Sequence, residues 1–180
     1  MLEQRVSYRY AKAILDIAIE SKTVDEIHND FSYIGNVFKA SNELKNIIVS
    51  PIVPQHLKNK AFVAVFGDNQ ISKMSLEFLK LLVHKRRSDI VPSIVEQYNN
   101  LYDEYNNKLK VRIISAIELN ESSKKIILDN LTNLTKKTII PIYEINKNVK
   151  GGLMVRIGDW VYDSTIKNQL EMLYKKLIEG

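Results

Sequence analysis

Val111-Arg112-Ile113-Ile114-Ser115-Ala116 is a β-branched run in a chain that, up to that point, is spaced for helices. Three of its six residues are Val or Ile, side chains that lose rotamer freedom in a helix and pack well on a pleated surface. Upstream, as far as about residue 105, apolar residues recur at helical intervals. Downstream, two short alternating segments follow a helix: Ile139–Ile145 and Leu153–Ile157, the latter with Leu153, Val155 and Ile157 alternating with Met154 and Arg156. The expected fold is mainly α: a six-helix bundle over residues 1–105, then a small α+β domain over residues 106–180 in the order β-α-β-β-(β)-α.

The upstream helices have readable ends. The first covers about Gln4–Ser21, the second Val24–Lys39, with Ile27, Phe31, Ile34, Val37 and Phe38 on its inner face. A short third helix falls at Glu43–Val49. Pro54 suits a helix start and Gly67 a stop, so the fourth runs Gln55–Phe66. The fifth spans about Ser72–Lys85. The sixth spans Asp89–Lys108, with Pro92 tolerable in its first turn. Two helices carry more apolar surface than one core requires. In the first, Arg5, Arg9, Lys12, Asp16 and Glu20 form a narrow polar stripe, and the rest of the circumference, roughly 220°, is apolar. In the fifth, Lys73, Glu77, Lys80 and His84 do the same, opposite an arc from Leu76 to Leu81. A surface helix needs an apolar arc of only about 100° or somewhat more.

Downstream of the β-branched run, Asn120 is placed to cap a helix whose Ile127, Leu131 and Leu134 point inward. Pro141 pushes the second strand to a sheet edge. Gly158-Asp159 reads as a tight turn into Trp160-Val161-Tyr162. Asp163, Ser164 or Thr165 caps a last helix with the seam Ile166, Leu170, Leu173 and Leu177.

Little here is suited to catalysis. The chain has no Cys, which excludes disulfides and thiolate chemistry. His28, His56 and His84 lie outside any metal-ligand spacing. Gly151-Gly152 and Gly158 flank a strand and match neither a P-loop nor a dinucleotide fingerprint. Asp159 and Asp163 occupy a turn and a helix start, positions where Asp serves structure. No apolar run approaches the roughly 20 residues of a membrane span, and the N-terminus enters an amphipathic helix with no signal core; a cytoplasm-like compartment is expected. Residues 1–105 hold 13 Lys+Arg and 13 Asp+Glu, whereas residues 106–180 hold 13 and 8. The basic excess could meet an acidic protein partner. A helical nucleic-acid-associated protein or a generic scaffold are the rival readings, although no nucleic-acid motif organises the basic residues.

Two segments carry a family resemblance. Tyr10-Ala11-Lys12-Ala13-Ile14-Leu15-Asp16-Ile17-Ala18 resembles the signature opening the delta subunit of F-type ATP synthases, the family of the mitochondrial oligomycin-sensitivity-conferring protein. Gly152 to Asp163, with Gly158 and Asp159 between, resembles that family's C-terminal GxxxxxGDxxxD pattern. Arg87, Pro92, Glu96 and Gln97 match the stretch joining its fifth and sixth helices. Ser164-Thr165 replaces a frequent Gly-Ser, and Arg86 replaces a frequent Gly at the end of the fifth helix. The resemblance implies a non-catalytic stator subunit without cofactor or metal, linking the catalytic head to the membrane-anchored stalk. Its implied partners are the N-terminal helix of an alpha subunit, bound between the first and fifth helices, and the C-terminal ends of the b subunits, with no nucleic acid and no membrane insertion. The implied location is the cytoplasmic face of a bacterial inner membrane or the stromal face of a plastid membrane. Residue by residue, the expected contacts are Tyr10, Ala13, Ile14 and Ile17 of the first helix and Leu76, Leu79 and Val83 of the fifth. The alternative turns Ala11, Leu15 and Ala18 to the partner instead. Gly152, Gly158, Asp159 and Asp163 are expected to be architectural.

Overall fold

The computed structural model describes residues 2–67, 70–158 and 160–179. The chain forms two compact units, one reaching Tyr102 and the other starting at Asp103. The first unit is built from α1 (Leu2–Glu20), α2 (Val24–Ala40), α3 (Asn42–Val49), α4 (Gln55–Phe66), α5 (Lys73–His84) and α6 (Val91–Tyr105). A 3-10 turn, Ser88–Ile90, leads into α6. It takes the place of the first turn expected for that helix and puts Pro92 at the second residue of α6, where a missing N–H costs nothing.

Local chemistry sets the helix ends. The Ser41 hydroxyl accepts from the Leu44 N–H (3.2 Å) to start α3, and Ser72 accepts from the Ser75 N–H (3.2 Å) to start α5. Ser72 also donates its own N–H (3.0 Å) and hydroxyl (2.5 Å) to the buried Asp30 carboxylate on α2. One cap therefore satisfies an orphan donor and fastens two helices. The core is aromatic at its centre: Phe31 of α2 lies 4.5 Å from Tyr98 of α6 and 5.9 Å from Phe78 of α5, ring to ring. Each fully buried side chain of this size contributes about 1.5–3 kcal/mol.

Lys58 of α4 is, with Asp30, a buried charged group of this interior. Its ammonium donates to the Ile48 carbonyl (2.7 Å) and to the Ser88 hydroxyl (2.8 Å), which itself donates to the same carbonyl (2.9 Å). The lysine thus caps the C-terminal end of α3 and ties it to α4 and the 3-10 turn. Desolvation pulls its pKa below the ordinary lysine value, opposed by the charge of Asp89.

The second unit is a four-stranded sheet, β1 (Lys108–Ser115), β2 (Thr138–Ile145), β3 (Gly152–Ile157) and β4 (Trp160–Thr165), with α7 (Glu121–Thr135) between the first two strands and α8 (Ile166–Glu179) after the last. The strand order is β2-β1-β3-β4, β1 running parallel to β2 and antiparallel to β3. Pro141 sits on the edge strand, as its missing donor requires. Strand β1 begins three residues before the β-branched run because Lys108–Lys110 pair with Thr138–Ile140. Asn120 caps α7, its side chain accepting from the Ser123 N–H (2.8 Å). The core is small: Val111, Ile113, Val155 and Leu131, with Ile127 and five flanking residues packed on them. Leu134 does not point inward as its spacing predicts. It is 80 % exposed, because the apolar cluster ends one turn earlier at Leu131.

Candidate functional surfaces

Helix α1 divides its wide apolar arc between two duties. Ser7, Ala11, Ile14 and Ala18 repeat at i, i+4, i+7 and i+11 and are buried with Leu15 in the bundle core. A second row, Val6, Tyr10, Ala13 and Ile17, has the same spacing; Val6 and Tyr10 pack against the margin of that core, and Ala13 and Ile17 face outward. Val6 and Tyr10 are half-buried, Ala13 is exposed, and Ile17 is 49 % exposed. Beside this row lies an open depression of ≈ 540 Å³, lined by Val6, Tyr10 and Ala13, by the charged Arg9, Lys12 and Asp16, and by Arg87 beyond the end of α5.

Three of the seven expected contact residues need correction. Ile14, Leu79 and Val83 are core residues, at most 2 % exposed, and have no area left to give a partner. The alternative face, Ala11, Leu15 and Ala18, is buried in the core as well. The excess on α5 has a structural explanation: it packs against α4, α2 and the 3-10 turn at once. Phe78, Leu79, Leu82 and Val83 are consumed in the core, leaving half-buried Leu76 and exposed Leu81 on either side of the polar stripe. Tyr10, Ala13, Ile17 and Leu76 keep surface to offer.

Arg87 lines the depression beside α1 although nothing in its local sequence marks it for that place. It is positioned by the end of α5, where Arg86 adopts a left-handed conformation (φ 56°). The Arg87 N–H then bonds the Leu82 carbonyl (2.8 Å) and the Arg86 N–H the Val83 carbonyl (3.0 Å). This is the Schellman arrangement that glycine favours at the left-handed position. The turn therefore survives the replacement of Gly by Arg86, at a conformational cost.

In the second unit Gly152, Gly158 and Asp163 each act on the local backbone. Gly152 (φ 79°) passes so close to β4 that a Cβ would lie 2.4 Å from the Ser164 carbonyl oxygen. Asp163 accepts from the Thr165 N–H (2.8 Å), a bond that holds its carboxyl below the usual carboxylate range together with its hydrogen bond to the Thr165 side chain. Thr165 accepts from the Asn168 N–H (3.3 Å) and is the cap of α8. Gly158, in the left-handed region, turns β3 toward β4; Asp159 lies outside the described residues. The seam of the helix so started, Ile166, Leu170, Leu173 and Leu177, is uncovered along its whole length, as are Trp160 and Tyr162 on β4. Among the described residues no group of His, Cys, Asp or Glu is arranged to hold a metal ion.

A family model described as ATP synthase delta (OSCP) subunit matches residues 6–177. The chain is 33 % identical to ATP synthase subunit delta of Chlorobaculum tepidum over 172 residues, covering 96 % of this chain and 94 % of that one. It is 35 % identical to the subunit of the same name from Pelodictyon phaeoclathratiforme, covering 96 % of both. In fold it is similar to a chain of the Toxoplasma gondii mitochondrial ATP synthase hexamer, with a TM-score of 0.75 over 96 % of this chain and 97 % of that chain at 15 % identity.

Proposed function

Because the chain belongs to the ATP synthase delta (OSCP) subunit family, we propose that the outward row on α1 seats the N-terminal helix of an alpha subunit and that the C-terminal unit grips the ends of the b subunits. The protein is a stator subunit, part of the peripheral stalk of ATP synthase. In this reading it performs no chemistry: it is held at both ends and resists the torque of the rotor. Among the described residues no helix is long and apolar enough to cross a membrane, so its association with the membrane is peripheral and runs through other subunits. The proposed side is the cytoplasmic, or stromal, one.

The observation that carries the docking site is the row Val6, Tyr10, Ala13 and Ile17. It is a second apolar stripe on a helix whose first stripe already serves the core. Recognition of an amphipathic helix uses anchors at this spacing, and small Ala13 lets a partner backbone approach. For the C-terminal unit, support comes from the uncovered seam of α8 and the basic excess of its sequence.

The test titrates the full chain with a peptide of the alpha subunit's N-terminus. Saturable binding with a Kd below about 10 μM, roughly −7 kcal/mol, is expected. Ala13→Glu should weaken it at least about tenfold with the helical circular dichroism unchanged, since a carboxylate there meets an apolar anchor. Absence of saturable binding by the unsubstituted chain would sink the proposal.

A further inference from the structure

The charges around the α1 row are graded along the helix. Arg5, Arg9 and Lys12 occupy the polar stripe in its first three turns, and Asp16 and Glu20 occupy it in the last two. All five are exposed, and none forms an ion pair among the described residues, although Lys12 and Asp16 are one turn apart. Arg87 adds a cation to the depression beside this stripe. Three cations, Arg9, Lys12 and Arg87, line it with a single carboxylate, Asp16, and Arg87 too has no ion pair among the described residues. Its neighbour Arg86 lines a different depression, with Lys58, Ser88 and Asp89. The backbone N–H groups of both arginines are bonded back to α5, so the turn assigns one guanidinium to each side and fixes where Arg87 begins.

An apolar row alone accepts an amphipathic helix in either direction. A flank graded from basic to acidic does not, because opposite charges must lie over one another and like charges are excluded. We propose that Arg87 is a specificity-determining residue of the docking site: with Arg9 and Lys12 it takes a carboxylate of the incoming helix and thereby sets that helix's direction, acidic end over Arg5–Lys12 and basic end over Asp16–Glu20. This rests on the reading of the α1 row as the alpha-subunit site and adds to it the chemistry and polarity of the occupant.

The full chain and the alpha-subunit peptide provide the test. Arg87→Gln weakens binding about threefold to fivefold at low salt, the range of an exposed ion pair, and Arg87→Glu about tenfold through repulsion. Both differences shrink at about 500 mM salt, where the screening length is only a few ångströms. Arg86→Gln, on the other side of the turn, leaves affinity and its salt dependence unchanged. A peptide with its acidic and basic positions exchanged and its apolar anchors kept binds about tenfold more weakly than the natural one. Arg87→Glu binding with unaltered affinity and salt dependence, or an exchanged peptide binding as well as the natural one, overturns the inference while leaving the docking site standing. No binding by the unsubstituted chain overturns both.

Discussion

Arg86 shows how a single position can be constrained by its backbone alone. A left-handed conformation costs a residue with a Cβ about 1–2 kcal/mol relative to glycine, and Arg86 holds it with two good cap bonds around it. Arg86→Gly is therefore expected to raise stability by about 1 kcal/mol, part of which is lost to the greater freedom of glycine in the unfolded chain. Urea denaturation with an unchanged m-value would register it. Tyr98 offers a pH-dependent counterpart. Burial raises its pKa well above the ordinary tyrosine value, with Tyr102, Asp25 and Asp30 adding to the effect. A raised folded-state pKa stabilises below the unfolded value, about 10, and that stabilisation is lost as pH climbs past it. Lys58 acts in the opposite sense just below its own ordinary value, because its buried charge is relieved as it deprotonates. The difference between the unsubstituted chain and Tyr98→Phe isolates the tyrosine: the wild type should lose stability above pH 10 more steeply than the variant. Such groups are hard to find in sequence, since the Asp30–Ser72 and Lys58–Ser88 bonds join residues 42 and 30 positions apart. Nothing in the local pattern marks either pair.

Helix boundaries were far more legible, because caps, Pro and Gly act locally. Pro54 and the run to Phe66 delimit α4 as read, and Asn120 and Thr165 cap where their side chains permit. The use of each apolar arc was less legible. Periodicity gives an arc's width but not the number of neighbours that will share it. Helix α5 spends nearly all of its arc on three neighbours within the chain, whereas α1 keeps a row that is only partly covered. Two glutamate substitutions two residues apart should separate the faces of α1. Ala11→Glu buries an unpaired carboxylate at a site with no exposure and is expected to cost at least about 3 kcal/mol. Ala13→Glu should change stability by less than about 0.5 kcal/mol. Thermal unfolding of the two proteins measures the contrast. On α8, Leu170→Ser with Leu173→Ser removes no core contact. It should leave the melting temperature nearly unaltered while weakening capture of the b-subunit ends in a pull-down. Loss of fold with intact capture would reverse that assignment.

The two units differ greatly in what holds each together. Among the described residues the first has a continuous core of 23 buried apolar residues across all six helices, and the second has four. A domain's stability is a small remainder of large opposing terms, so the thinner core should be lost first. Two transitions are expected in denaturant, the earlier one monitored by the exposed Trp160 of the second unit. Hydrogen exchange should be slowest in α2 and α6, whose apolar faces meet at Phe31 and Tyr98, and fastest in α8. Addition of the b-subunit ends should move the earlier transition to higher denaturant in proportion to ligand concentration.

The bare seam of α8 also bears on supply. A copy of this chain made in excess of its partners would display Leu170, Leu173 and Leu177 on a helix with little to hold it down, the kind of segment that proteases and chaperones engage first. In a pulse–chase measurement, orphan copies should be short-lived and incorporated copies long-lived. Degradation of the surplus would then match the number of these subunits to the number of finished stalks, without any regulator devoted to counting them.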